Sequence, residues 1–119
     1  MAIHTHLPIY KLAFDLLSLA ADITRNMPRD FKASLGTKIH NECIEMLVLI
    51  GRANIARDKV PHIRDLLERQ HVAELLLRLA HEKRFIAAKQ WAASVELTTR
   101  IGQQAGGWLK HSRNAAPAA

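Results

Sequence analysis

Residues 8–25 read PIYKLAFDLLSLAADITR. Ile9, Leu12, Ala13, Leu16, Ala20 and Ile23 recur in this stretch at spacings of three and four, which places them on one face of an α-helix. Pro8 suits the first turn of that helix, where its missing N–H costs nothing. Asn26-Met27-Pro28 stops it, because the residue before a proline avoids helical geometry. The same period returns three more times along the chain.

A second helix is predicted over about 30–56, with Asp30 at its start and Leu35, Ile39, Cys43, Met46, Ile50 and Ala53 as its stripe. Gly36 and Gly51 weaken it locally by up to ~1 kcal/mol each, which a long helix tolerates. The third, about 60–84, begins at an acid before a first-turn proline, Asp58–Pro61. Its stripe is Ile63, Leu66, Leu67, Gln70, Ala73 and Leu77. Asp65 with Arg69 and Glu74 with Arg78 stand at i,i+4, where such pairs contribute about 0.2–0.5 kcal/mol each. The fourth covers about 86–112 through Trp91, Val95, Thr98, Ile101, Ala105, Trp108 and Leu109, with no convincing cap before it. Residues 113–119, rich in Ala and Pro, are expected to be a disordered tail. Four such segments with short connections predict an all-α, antiparallel up-down-up-down four-helix bundle forming one domain over 1–112.

Composition agrees. The chain has 119 residues and a mass of 13.4 kDa, 49% of it hydrophobic, with only 5 Gly and 4 Pro. That size fits one domain, and so few turn residues argue against an all-β architecture. Cys43 stands alone, which excludes an intramolecular disulfide and a multi-cysteine zinc site; among apolar neighbours it reads as a buried, inert thiol. The longest apolar run, Met46–Ile50, is far short of the ~20 residues of a membrane span. Met1–Tyr10 lacks the basic start and apolar stretch of a signal peptide. A cytoplasmic protein with no membrane partner is expected.

That apolar run does not suit a lone bundle. Successive helical residues are about 100° apart, so Met46, Leu47, Val48, Leu49 and Ile50 cover every side of the second helix, whereas a bundle helix normally keeps one polar face for water. From Val72 to Ala80 only Glu74 and Arg78 are polar, and Leu75, Leu76 and Leu79 widen the apolar arc of the third helix. Scattered surface leucines are common. Matching excesses on two adjacent helices instead predict a homo-oligomer, with Leu47, Val48, Leu75, Leu76 and Leu79 at its interface.

Chemistry-bearing motifs are sparse. Glu68 and His71 form one Glu-x-x-His pair, where a carboxylate-bridged metal bundle needs two plus further inward acids, and the fourth helix offers only Glu96. His4 and His6 lie in the N-terminal extension, and His40, His62, His81 and His111 are scattered. There is no glycine-rich phosphate loop; Gly106-Gly107 sits inside a helical pattern, where close helix packing or a bend near Trp108 is expected. No catalytic residue, cofactor or metal site is assigned, and a non-enzymatic role is expected.

Charge is the more informative feature. Lys+Arg number 17 against 11 Asp+Glu, for a net charge of +6 and a pI near 10.0. The bases gather where helices begin and end: Arg25, Arg29 and Lys32; Arg52, Arg57 and Lys59; Lys83, Arg84 and Lys89; Lys110 and Arg113. Cations in a last turn offset the helix dipole by about 0.3–1 kcal/mol each, which accounts for Arg25, Arg52, Lys83 and Lys110 without any ligand. It does not account for Arg29, Lys32 and Lys89 at helix starts. A polyanion-binding surface without sequence preference and a plain solvated surface both fit.

Several short blocks carry a resemblance. They are Met27-Pro28-Arg29, Ala53-Asn54, Leu77-Arg78-Leu79-Ala80 and, most distinctively, Ile101-Gly102-Gln103-Gln104-Ala105-Gly106-Gly107-Trp108-Leu109-Lys110. In these the chain resembles small bacterial four-helix bundle proteins, including the ribosomal-RNA intervening-sequence proteins and the accessory variability determinant (Avd) of diversity-generating retroelements, over about residues 7–112. The resemblance implies a homopentameric barrel of bundles with a basic surface. For the retroelement member it implies association with a reverse transcriptase and nucleic acid during template-directed diversification. By position it carries over Arg78, with Arg29 and Lys110. Glu74, one turn before Arg78, replaces a basic residue of the retroelement relative, and Gln103 after Gly102 likewise removes positive charge. The expectation is an oligomeric accessory protein that binds RNA, DNA or a nucleic-acid enzyme such as a reverse transcriptase. The alternative is a scaffold homo-oligomer with no nucleic-acid ligand.

Overall fold

The computed structural model describes residues 3–115, and among them it contains helices and no strand. A short 3₁₀ turn, His4–His6, leads into α1, Pro8–Arg25, with Pro8 in the first turn as its chemistry dictates. We designate as α2 a continuous rod in three pieces: an α turn Arg29–Phe31, a π-helical segment Lys32–Gly36 and a long α segment Thr37–Ile55. Next come α3, Val60–Glu82, and α4, Ala88–Asn114. Each of α1 and α3 packs against both α2 and α4, so the four helices occupy the corners of a square around one core.

The stripes read from the sequence line that core. Ile9, Leu12, Ala13, Leu16, Ala20 and Ile23 of α1 are all buried, as are Leu35, Ile39, Cys43, Met46, Ile50 and Ala53 of α2. Full burial of a Leu, Ile or Met contributes about 1.5–3 kcal/mol. Small residues set how closely the helices approach: Ala13, Ala53, Ala73, Ala80, Ala105 and Cys43 have no exposed surface at all. Met27 and Ile86, in the first and third connections, close the core where helices end. Burial pushes the Cys43 thiol up to about 12 from its ordinary 9.0, with the neighbouring Glu42 carboxylate adding to the effect. It is therefore protonated and inert at neutral pH.

Several local expectations are corrected. The second helix is not uniformly α. Its π segment inserts one residue of extra turn, and Thr37 Oγ1 reaches the Lys32 carbonyl five residues back at 3.4 Å. Asp65 and Arg69 do not pair: Arg69 reaches across to Glu42 of α2 at 2.9 Å and also meets Glu68 at 3.3 Å. Nor does Arg78 hold Glu74, whose carboxylate accepts a 2.6 Å bond from Gln70 Nε2. Val95 lies outside the core, and Ser94 takes its place there because its hydroxyl is satisfied by the Trp91 carbonyl at 2.8 Å. The fourth helix starts at Ala88, where the Gln90 side chain reaches back to the Ala87 N–H at 3.4 Å, and it runs through Arg113 and Asn114, two residues further than expected. Of the expected tail, residues 116–119 lie outside the described residues, as do residues 1–2.

Of the five glycines, Gly36 stands closest to a neighbouring helix. A Cβ there would stand 2.6 Å from Thr24 Cγ2 of α1. Thr24 cannot swing the methyl aside freely, because its hydroxyl is bonded to the Ala20 carbonyl at 2.8 Å. Gly36→Ala should therefore destabilise the fold by about 1–3 kcal/mol, the usual range for overpacking, as measured by urea unfolding. Adding Thr24→Ser, which removes the obstructing methyl and keeps the hydroxyl, should recover most of the loss. An unchanged unfolding midpoint in Gly36→Ala would show that the crossing is not tight.

Candidate functional site

The basic residues singled out in the sequence fall into two groups at opposite ends of the rod, plus one between them. At one end Phe31 of α2 meets Phe85 of the third connection with ring centroids 4.7 Å apart. This contact brings together the segments carrying Arg25, Arg29 and Lys32 and those carrying Lys83 and Arg84. Beside it Phe31, Leu35, Lys38, Leu76, Leu79 and Lys83 line a groove of about 230 Å³. At the other end Arg57 and Lys59 of the second connection share a cleft of about 290 Å³ with Trp108, His111 and Ser112 of α4. Lys110 and Arg113 belong to the same last turns of α4. Arg78 stands apart, lining a cleft between α3 and α4 with Glu74, Trp91 and Thr98.

Two of these ten cations are already engaged. Arg25 pairs with Asp22 at 2.9 Å on the surface of α1. Lys59 turns its ammonium back on the end of α2, donating to the carbonyls of Ala53, Asn54 and Ala56 at 2.9, 2.8 and 3.0 Å. Those carbonyls have no acceptor role inside the helix, so Lys59 caps it and offsets its dipole. The other eight, Arg29, Lys32, Arg57, Arg78, Lys83, Arg84, Lys110 and Arg113, are exposed and have no ion pair among the described residues.

Arg84 has a structural role as well. It is the one non-glycine residue among those described with positive φ, at 63°. The Phe85 N–H reaches the Ala80 carbonyl at 2.9 Å and the Arg84 N–H reaches that of His81 at 2.9 Å. This bond pair is a Schellman stop in which glycine is the usual occupant. An arginine there carries its charge at the cost of backbone strain.

The apolar excess is on the surface in two separate patches. Leu47 is half-buried and Val48 exposed on α2; with Tyr10, Gly51 and Ile55 they border a groove of about 470 Å³ against α1. Ile55 is 66% exposed, and Phe14 and Ile44 extend the patch. On α3, Leu75 is 66% exposed, Leu79 is exposed and Leu76 is half-buried, flanked by Phe31. Phe14, Phe31, Ile44 and Ile55 are not among the interface residues expected from the sequence, although Ile44 stands one helical turn before Leu47 and Val48, and Phe31 one before Leu35.

Gly106 and Gly107 do not mediate close packing within the chain, as had been expected: a Cβ on either would meet nothing within 4 Å. Of the α4 glycines it is Gly102 that is closely packed, its Cβ position 3.2 Å from Gln70 Nε2. Gln70 is buried, donates to Glu74 and to the Thr98 carbonyl at 3.0 Å, and leaves its Oε1 without a partner. Glu74 is thus committed to holding this inward glutamine. His81 stacks flat on Trp91, centroids 4.3 Å apart and planes 3° from parallel. No three His, Cys, Asp or Glu side chains among the described residues are grouped to hold a metal, and no helix among them is long and apolar enough to cross a membrane.

A family model described as bAvd-like matches residues 9–112. The chain belongs to the bAvd-like family. That family is of an accessory, non-catalytic kind. No curated protein and no solved structure matches the chain. The match spans all four helices of this bAvd-like protein, from the first buried residue of α1 to the last turn of α4.

Arg84→Gly should raise unfolding stability by about 1 kcal/mol, since glycine adopts positive φ without the Cβ penalty. Thermal or urea unfolding measures this. A loss of stability would mean that the arginine side chain contributes more than its strained backbone costs.

Proposed function

We propose that this bAvd-like protein is a non-enzymatic subunit of a homo-oligomer, a pentameric ring, that presents its uncompensated basic residues to nucleic acid or to a nucleic-acid enzyme such as a reverse transcriptase. Each subunit is an antiparallel up-down-up-down bundle, a topology supported by the three short connections between consecutive packed helices. The observation that carries the reading is the pairing census: eight exposed cations at bundle ends and on α3 have no acidic partner among the described residues. Surface charge left uncompensated in this way attracts polyanions without sequence preference.

Assembly is supported by the two apolar patches. They differ in composition and lie on different helix pairs, α1 with α2 and α2 with α3. A patch that fits a different patch on the next copy gives head-to-tail contacts, which close into a ring when the rotation permits. Family membership supports an accessory role, and the resemblance carried by the short sequence blocks implies the ring and a place beside a reverse transcriptase. The scaffold reading has two observations in its favour: Lys59 serves helix capping and Arg25 is paired with Asp22.

Two measurements test the proposal. Light scattering behind size exclusion should give a multiple of 13.4 kDa, five-fold for the ring, and Leu75→Glu with Leu79→Glu should reduce it to the monomer. A 13.4 kDa wild type would end the oligomer reading. Binding to labelled RNA and DNA should be strongest at low salt, with log affinity falling linearly against log salt concentration. No binding at the lowest salt would leave the scaffold.

A further inference from the structure

The cleft at the α2–α3 connection has features that general surface charge does not explain. Arg57, Asp58 and Lys59 come from the connection, and Trp108, His111 and Ser112 stand at positions i, i+3 and i+4 on one face of α4, with Ala115 just past its end. The cleft therefore combines a half-buried indole, an exposed guanidinium, an imidazole and a hydroxyl around about 290 Å³ of space, near the ~300 Å³ lower bound of small-molecule sites. Its one carboxylate among the described residues, Asp58, accepts the Val60 N–H through Oδ1 at 3.2 Å, which ties it to the start of α3. Lys59 is drawn back to the end of α2, which leaves Arg57 as the lining's cation without an ion pair among the described residues. Just before the indole, a Cβ on Gly106 or Gly107 would meet nothing within 4 Å among the described residues.

We infer that this cleft seats one nucleotide unit of a single-stranded nucleic acid, its base against Trp108 and its phosphate on Arg57 and His111. The inference rests on the basic-surface reading above and narrows it to a place and a strand form. An aromatic ring beside a cation is the general device for single strands, because every unpaired base offers a π-face and its phosphate offers the charge. A duplex keeps its bases stacked internally and has none to offer. Lys110 and Arg113 lie on other faces of the same turns of α4, close enough to raise the local potential within a screening length of about 10 Å.

The test uses the full chain titrated at low salt with oligo(dT), oligo(rU), a duplex of mixed sequence, and inorganic polyphosphate. Tryptophan fluorescence is followed in the wild type and in Trp91→Phe and Trp108→Phe, each first checked for helical circular dichroism. Quenching by oligo(dT) or oligo(rU) in the wild type and in Trp91→Phe, lost in Trp108→Phe, is the expected result. Polyphosphate should displace the oligonucleotide without quenching. Arg57→Gln should weaken single-strand binding about tenfold and leave duplex binding less affected. Single strands that bind with no change at Trp108, or with unchanged affinity for Arg57→Gln, would overturn the site and leave the basic-surface reading standing. Failure of single strand, duplex and polyphosphate alike would overturn both.

Discussion

A helix packed between two neighbours can hide only part of its circumference, and most of what this protein presents outwardly follows from that limit. The core takes one stripe from each helix and is lined with alanines and Cys43 at the closest approaches, so the bundle is narrow, about 23 by 22 Å across. Narrowness leaves no room for every apolar residue of α2 and α3. Met46, Leu49 and Ile50 go inside, Leu47 sits at the boundary and Val48 is outside. An apolar residue on the surface here is not a packing failure. It is the remainder after the core is full, and on α2 and α3 it collects in two patches.

How much of this is legible in the sequence depends on whether a feature obeys the helical period. The stripes of α1 and α2 do, and every residue assigned to them is buried. The π segment of α2 does not, since one extra residue in a turn shifts the phase without changing composition, and only the glycine at its end hints at it. Partners across helices are similarly hidden. Arg69 has an acid four residues before it, yet it is drawn to Glu42, where both side chains are largely shielded from solvent and charge pairing is less screened. Ser94 reads as a surface residue because its hydroxyl is polar. It is buried because that hydroxyl finds a carbonyl one turn back.

The candidate site shows the same division. That bases cluster at helix ends is visible in the sequence; which of them are free is not. Lys59 and Arg57 are two residues apart and chemically alike, but one is bonded to three carbonyls and the other projects beside Trp108. Helix capping and polyanion attraction therefore coexist on one short connection. The partition between them is decided by reach: the flexible lysine stem can fold back over the end of α2, where a compact ammonium suits converging carbonyls.

Cys43 adds a consequence for assembly. The only sulfhydryl of the chain is sealed in the core and stays protonated well above neutral pH, so no disulfide joins folded copies. Any association of subunits is then governed by mass action alone. Its extent varies with the cellular abundance of the protein, and it is indifferent to the redox poise around it.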